Sequence, residues 1–231
     1  MVELFPEGFE KVEADGRLEL AAYTDAAGEA RLAVAFGEVS AHAVEPGWES
    51  AWKEFHRPVR IGRLWVGPPW ETPPPDALAV VVDPGRAFGT GAHATTRLCL
   101  ELLLGVEPGS LLDVGCGSGV LAVAAARLGF APIVAVDIDP VAVEAAQENA
   151  ARNGVAVEVR ALDAFADPLP ATAFAIANIA LRPVEAVGAR LRSGRLIASG
   201  YLAAEKPELP GWRRIERREL GEWAADLYER L

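Results

Sequence analysis

Three alternate glycines with an acidic residue ahead of them, and a second acidic residue further along, are the side chains of this sequence whose types and spacing could do chemistry. Leu111-Leu112-Asp113-Val114-Gly115-Cys116-Gly117-Ser118-Gly119-Val120 reads as a short apolar strand entering a glycine-rich turn. The turn opens into an alanine-rich helix, Val120 to Leu128, stopped at Gly129. Gly115, Gly117 and Gly119 permit backbone dihedrals that a Cβ forbids and let main chain approach a ligand closely. Such a turn at the carboxyl end of a parallel strand is where open α/β sheets bind nucleotides. A dinucleotide fingerprint requires another glycine three residues after Gly117, and that position is Val120. Pyrophosphate binding is therefore disfavoured. The loop alone is also compatible with a merely tight structural turn.

Asp137 adds the second half of a nucleoside site. It stands at the tip of the apolar strand Ile133 to Val136, 22 positions past Gly115, where a carboxylate can accept hydrogen bonds from both ribose hydroxyls. Asp139, by contrast, is followed by Pro140 and reads as the N-cap of a helix running to about Arg152 and ending at Asn153-Gly154. Asp163 follows the next strand, Val157 to Ala161, where an adenine edge would lie; a solvated turn aspartate looks the same. Asn178 closes the strand Phe174 to Ala177 and is a candidate for orienting an acceptor group, against the alternative of an asparagine bonding its own turn.

These residues must be placed by the elements between them. Strands and helices alternate through most of residues 78–231, which argues a doubly wound, mostly parallel sheet. Arg195 to Tyr201 continues it, a short helix is expected over Ala203 to Leu209, and Trp212 to Glu219 with Trp223 to Glu229 form a closing antiparallel hairpin around Gly221. Upstream, Leu78 to Val82 is a strand leading into Phe88-Gly89-Thr90-Gly91-Ala92-His93-Ala94-Thr95-Thr96, a mobile loop before a helix that reaches about Leu104, with Thr95 or Thr96 at or just inside its start. Pro58 to Pro75 holds one short strand around Ile61 to Val66 and then a proline-rich connection. Trp48, Trp52 and Phe55 share a helical face and read as a packed linker helix. Residues 1 to about 45, with an alternating strand Leu18 to Tyr23, a helix near Glu29 to Phe36 and an apolar run Val39 to Val44, form a small α+β unit. The division expected is 1–45, a connection 46–75, and a main domain 76–231.

At 231 residues with a formal net charge of −11, the chain is a poor match for nucleic-acid phosphate, whose proteins carry basic patches, and suits a basic protein client. No apolar run approaches the roughly 20 residues of a membrane span. No basic segment followed by an apolar core opens the sequence, and Cys99 and Cys116 lack a paired spacing, so a cytoplasmic protein without disulfides is expected. His42, His56 and His93 are too scattered for a metal site.

The loop from Asp113 to Gly119 resembles the first motif of class I S-adenosylmethionine (AdoMet) methyltransferases. Taken with Phe88 to Thr96, Val136-Asp137-Ile138-Asp139-Pro140 and Asn178-Ile179, it resembles the PrmA family, which modifies ribosomal protein L-eleven of the large subunit. The resemblance covers roughly Trp48 to the end. It implies a seven-stranded Rossmann-like sheet and AdoMet as cofactor, with Thr96, Gly115, Asp137 and Asn178 as contacts, and Asp113, Gly117, Gly119, Ile138 and Asp163 are expected to bind the cofactor with them. It further implies that Phe88, Gly89, Thr90 and Gly91 fold over the cofactor and that residues before about 45 recruit the protein substrate. The activity implied is N-methylation of lysine or amino-terminal amines by a monomer that neither binds nucleic acid directly nor uses a metal, with Asn178 orienting the amine. The amino-terminal unit is short for the family, and Ala180 stands where a larger apolar residue is usual. Two alternatives remain open at this point: a nucleic-acid N-methyltransferase of the same fold, though Asn178 lacks the Pro-Pro-aromatic sequel usual there, and a non-catalytic AdoMet-binding assembly factor.

Overall fold

The structure, a computed structural model, describes residues 10–14, 17–21, 26–37, 39–40, 57–84 and 91–231. The expected Trp48 to Phe55 helix, most of the Val39 to Val44 run, and Phe88, Gly89 and Thr90 lie outside the described residues. The chain divides into two units, Met1–Ser50 and Ala51–Leu231. In the first, β1 (Glu10–Ala14) and β2 (Arg17–Ala21) pair antiparallel and are followed by α1 (Ala26–Phe36). β2 answers the expected alternating strand; β1, with its Glu-Lys-Val-Glu-Ala sequence, offered too little apolar pattern to be read as its partner.

The second unit begins with a three-stranded sheet. β3 (Val59–Ile61) and β4 (Leu64–Gly67) form a hairpin, and β5 (Leu78–Val81) runs parallel to β4. The sequence suggested one strand here. A two-residue turn, Gly62-Arg63, divides it, with Gly62 at φ +55° where Leu104 Cδ1 would lie 3.0 Å from an added Cβ. β5 belongs to this small sheet rather than to the large one.

The large sheet has seven strands: β6 (Leu111–Val114), β7 (Ile133–Asp137), β8 (Glu158–Ala161), β9 (Phe174–Asn178), β10 (Arg195–Leu202), β11 (Trp212–Leu220) and β12 (Trp223–Arg230), in the order β11-β12-β10-β9-β6-β7-β8. β6 to β10 are parallel to one another, and β12 joins β10 antiparallel, as does β11 to β12. The order reverses at β6: the chain moves outward through β7 and β8, then returns to β9 on the other side. A crevice at the carboxyl ends of the strands at such a reversal is the ligand position of open α/β sheets.

Alternate residues of the central strands feed two cores. Leu111, Ile133, Ala135, Phe174 and Ile176 pack with α2 (Ala94–Leu104) and α3 (Val120–Arg127), together with Ile61, Leu64, Val66 and Val80 of the small sheet. Leu112, Val114, Val134, Val136, Ala175 and Ala177 pack on the other face with Val184 and Val187 of α5 (Leu181–Gly188) and with Tyr201 and Trp212. Both faces being covered explains why these strands are nearly continuous in apolar residues. Between α3 and α5 lies α4 (Pro140–Arg152), capped by Asp139, whose Oδ1 accepts from Val141 N at 2.9 Å.

The helix expected over Ala203 to Leu209 is absent: residues 203–204 turn and the chain runs irregularly to Leu209. Pro207 disfavours helical dihedrals at Lys206. Glu205 closes the turn instead, its N–H donating to Leu202 O at 2.9 Å and its Oε2 accepting from Leu202 N at 2.7 Å.

β10 carries a bulge between Ser199 and Tyr201, at Gly200. Gly200 sits at φ +97°, and a Cβ there would lie 1.3 Å from Ile179 O. We expect Gly200→Ala to destabilise the fold well beyond the roughly 1–2 kcal/mol of a left-handed alanine alone, with a correspondingly lower thermal midpoint. Gly221→Ala, at φ +61° with open space around it, should show only that smaller cost. Equal midpoints for the two variants in a melting experiment would contradict the close approach.

Candidate functional site

Sheet register brings the candidate residues together. Val114 pairs with Val136 on one side and Ala177 on the other, so Gly115, Asp137 and Asn178 are the next positions of three adjacent strands. They border a cavity of about 650 Å³ that is also lined by Gly117, Ile138 and Asp163. Pockets for small ligands and cofactors span about 300–1,000 Å³.

The glycine loop is held from both sides. Gly115, Gly117 and Gly119 all have positive φ, at 68°, 53° and 77°. Gly117 N donates to Asp137 Oδ2 at 2.9 Å, and Asp139 N donates to Asp137 Oδ1 at 3.1 Å. Each carboxylate oxygen therefore has one protein donor and keeps capacity for another, which suits a pair of ribose hydroxyls. A Cβ on Gly115 would lie 2.4 Å from Ile179 Cγ2, so the absent side chain admits the residue after Asn178.

Asp113, Gly119 and Thr96 take supporting places rather than lining the cavity. Asp113 is 1% exposed, and its Oδ2 accepts from Ala122 N at 3.1 Å, satisfying a first-turn amide of α3 that the N-cap, Gly119, has no side chain to meet. Burial pushes the Asp113 carboxyl up to about 7, opposed by the Ala122 hydrogen bond and reinforced by the charge of Asp137. Gly119 packs on α4, where an added Cβ would lie 2.9 Å from Ala146 Cβ. Thr96, buried just inside α2, accepts from Asn178 Nδ2 at 3.4 Å. His93 rather than a threonine caps that helix: its Nδ1 accepts from Thr95 N at 3.4 Å, and its ring meets Trp223 edge-on at 4.9 Å.

Of the far wall of the cavity, the sequence reading named Ile138 and missed Phe165. Ile138 and Phe165 are 69% and 51% exposed, and both line the cavity. Phe165 is set by a closed turn: its N–H donates to Asp163 Oδ1 at 2.8 Å, and Arg190 donates to the carbonyls of Ala164 and Asp167, each at 2.9 Å. Asp163 is thus both a turn aspartate and a lining residue. Only an isolated aromatic after a short strand pointed to Phe165.

A clasp on α4 joins this site to the small sheet. Asn149, 2% exposed, donates through Nδ2 to Ser118 O at 2.9 Å and accepts at Oδ1 from Asp83 N at 3.1 Å. Asn153 donates to Val81 O at 2.7 Å and accepts from Val81 N at 2.9 Å. Asn149 carried no sequence signal, since a polar residue on a helix ordinarily faces solvent, and Asn153 was read only as part of the helix stop.

Burial raises the thiols of Cys99 and Cys116 well above the ordinary range, which leaves neither as a ready nucleophile. Among the described residues no cluster of three or more His, Cys, Asp or Glu could hold a metal, and no helix is long and apolar enough to cross a membrane.

A profile of the family described as "Ribosomal protein L11 methyltransferase (PrmA)" matches residues 12–226. Proteins named ribosomal protein L11 methyltransferase are similar to this chain in Symbiobacterium thermophilum, at 50% identity over 70% of this chain and 57% of the relative, and in Pelobacter propionicus, at 43% identity over 79% and 66%. The chain thus spans between half and two thirds of the length of these curated relatives. The crystal structure of a ribosomal protein L11 methylase from Lactobacillus delbrueckii subsp. bulgaricus superposes with a TM-score of 0.67 at 30% identity, over 76% of this chain and 99% of that one.

The buried Asp113 makes a pH-dependent contribution with a definite sign. Its folded value lies above its unfolded one, so the stabilisation from a protonated, buried carboxyl is complete below about pH 4 and is lost as pH rises through about 7. Asp113→Asn keeps an oxygen for Ala122 N and removes the titration. The variant should therefore gain stability relative to the parent chain between pH 4 and 7, with a constant difference above that. Parallel unfolding curves across that window would refute the assignment.

Proposed function

Because the chain belongs to the ribosomal protein L11 methyltransferase family, we propose that it transfers methyl groups from AdoMet to amino groups, lysine side chains or an amino terminus, of ribosomal protein L11. The observation that carries the reading is the alignment of Gly115, Asp137 and Asn178 at the rim of one cavity, with apolar walls at Ile138 and Phe165. A cytoplasmic location goes with that substrate. Residues before about 45 are proposed to recruit it, and Phe88 to Gly91 to cover the cofactor.

The residues present fit AdoMet. The open lone pairs of Asp137 suit its ribose, Ile138 and Phe165 its adenine, and the bare backbone of Gly115 and Gly117 the chain that bears its sulfur. When bound, AdoMet would supply a methyl group made electrophilic by its sulfonium, open to in-line attack by an amine lone pair with the sulfur leaving as a neutral thioether. Positioning can contribute roughly 7–11 kcal/mol to such a step, and this chain's share falls to Asn178. Its Nδ2 is committed to Thr96, which leaves Oδ1 to accept from the amine N–H and turn the lone pair toward the methyl. The amine must arrive neutral, against an ordinary lysine value of about 10.4. Enclosure beside Ile179 and Pro183 favours the neutral form.

Mass spectrometry of purified ribosomal protein L11 after incubation with the chain and AdoMet should show mass gains in steps of a methyl group; an unmodified mass counts against the proposal. Asp137→Ala should weaken AdoMet binding far more than Asp139→Ala, at about 1.5–3 kcal/mol for each charge-assisted hydrogen bond removed. Part of that loss will come from freeing Gly117. The Asp139 variant should instead lose thermal stability, about 1 kcal/mol for the cap, so equal calorimetric losses of affinity would sink the ribose assignment. Asn178→Ala should lower single-turnover methyl transfer more than AdoMet affinity; the reverse split would reassign it to cofactor binding.

A further inference from the structure

A second recess, about 550 Å³, opens beside the cofactor cavity and shares Pro183 with it. Ala180 and Leu181, immediately beyond Asn178 and Ile179, form one wall; Gly200, Tyr201, Glu205 and Trp223 form the other. Glu205 is the sole carboxylate, among the described residues, that lines the recess. Arg182 is the sole cation, with 87% of its side chain exposed and its Nη1 drawn 3.2 Å from Glu185 Oε2.

The turn that carries Glu205 is fastened more firmly than an exposed loop requires. Besides the two bonds to Leu202, Arg217 Nη2 donates to Ala203 O at 2.6 Å and to Glu205 O at 3.0 Å. The same guanidinium donates through Nη1 to Asp226 Oδ2 at 3.1 Å, and Asp226 is fully buried next to the Tyr201 hydroxyl. Glu205 Oε2 is occupied by Leu202 N, so Oε1 is the oxygen left for a ligand. Trp223 faces Leu202 across the strand pair and lies against His93, which braces its indole at the recess.

A lone carboxylate beside a braced indole receives a cation: the carboxylate by a charge-assisted hydrogen bond, the indole through its π face. We propose that this recess is the entry port for the acceptor amine, and that Glu205 and Trp223 capture it as an alkylammonium before it reaches Asn178. The proposal rests on the methyl-transfer reading for its order of events, and the step is one of binding in which no bond is made or broken. The same recess is ill suited to a nucleobase carried on phosphates, because the chain's net charge is −11 and the recess adds Glu205.

The test uses the full chain. Glu205→Gln keeps an oxygen for Leu202 N and removes the charge; it should raise KM for ribosomal protein L11 about tenfold while kcat at saturation and the AdoMet Kd stay within twofold. Trp223→Leu should do likewise, and the Glu205 effect should shrink at high salt. Independently of any protein substrate, n-butylammonium chloride should shift the Trp223 indole N–H resonance, assigned by its absence from Trp223→Phe. The shift should be absent with n-butanol and in Glu205→Gln. An unchanged KM in Glu205→Gln overturns the port and leaves methyl transfer standing. A chain that methylates no ribosomal protein L11 yet shows the Glu205-dependent shift overturns the functional reading and supports the cation site.

Discussion

The carboxylate of Asp137 is shared between two peptide N–H groups, Gly117 on Oδ2 and Asp139 on Oδ1, and the geometry of the site descends from that sharing. It fixes the glycine loop to the tip of the neighbouring strand. With the loop so placed, bare Gly115 lies under the side chain of Ile179, and Ile179 in turn rests its carbonyl on bare Gly200. Three strands are thus keyed by contacts that tolerate no Cβ, and Asn178 is the residue whose position they determine. An asparagine at 137 would set an amide nitrogen against one of those N–H groups, so charge and hydrogen-bond sense are both needed.

A second carboxylate stands behind the loop. Asp113 is enclosed by α3 and the core, and its value near 7 reflects that enclosure first, offset by the Ala122 hydrogen bond, with the nearby Asp137 charge adding to the rise. The loop therefore runs between two acidic groups of unlike character, one bonded to backbone at the cavity and one buried against a helix terminus. The same spacing that looks like a single motif in sequence divides into a ligand-facing part and a supporting part.

Much of this was legible in the sequence because strand tips and glycine turns are local events. Glycines in a row, an aspartate after four apolar residues, and Asp139-Pro140 at a helix start each specify their own backbone, and the parallel register then sets them side by side. Beyond Ile138 and Asp163 the walls were not legible, because they are assembled from distant pieces. Phe165 owes its place to Arg190, and Glu205 to Arg217, through hydrogen bonds that no periodicity announces. The misread helix at 203–209 has the same origin: Ala-Ala-Glu favours a helix locally, and a guanidinium from β11 together with Pro207 overrides it. The hairpin at Gly62-Arg63 was lost because its glycine-first turn joins strands of only three and four residues inside a proline-rich stretch.

Asn149 is a mechanical tie between two sheets. One amide holds the carbonyl of Ser118 in the glycine loop with its nitrogen and the N–H of Asp83 with its oxygen. The two tethered points belong to different sheets, so the loop that faces the cavity and the exit of β5 form one rigid post. The chain leaves that post at Pro84 and returns at Gly91, whose Cβ would lie 2.4 Å from Val66 of the same small sheet. Pro84 and Gly91 are thereby both set by the framework that shapes the cavity. A displacement of the glycine loop would thus reach Asp83 directly, through the one amide of Asn149.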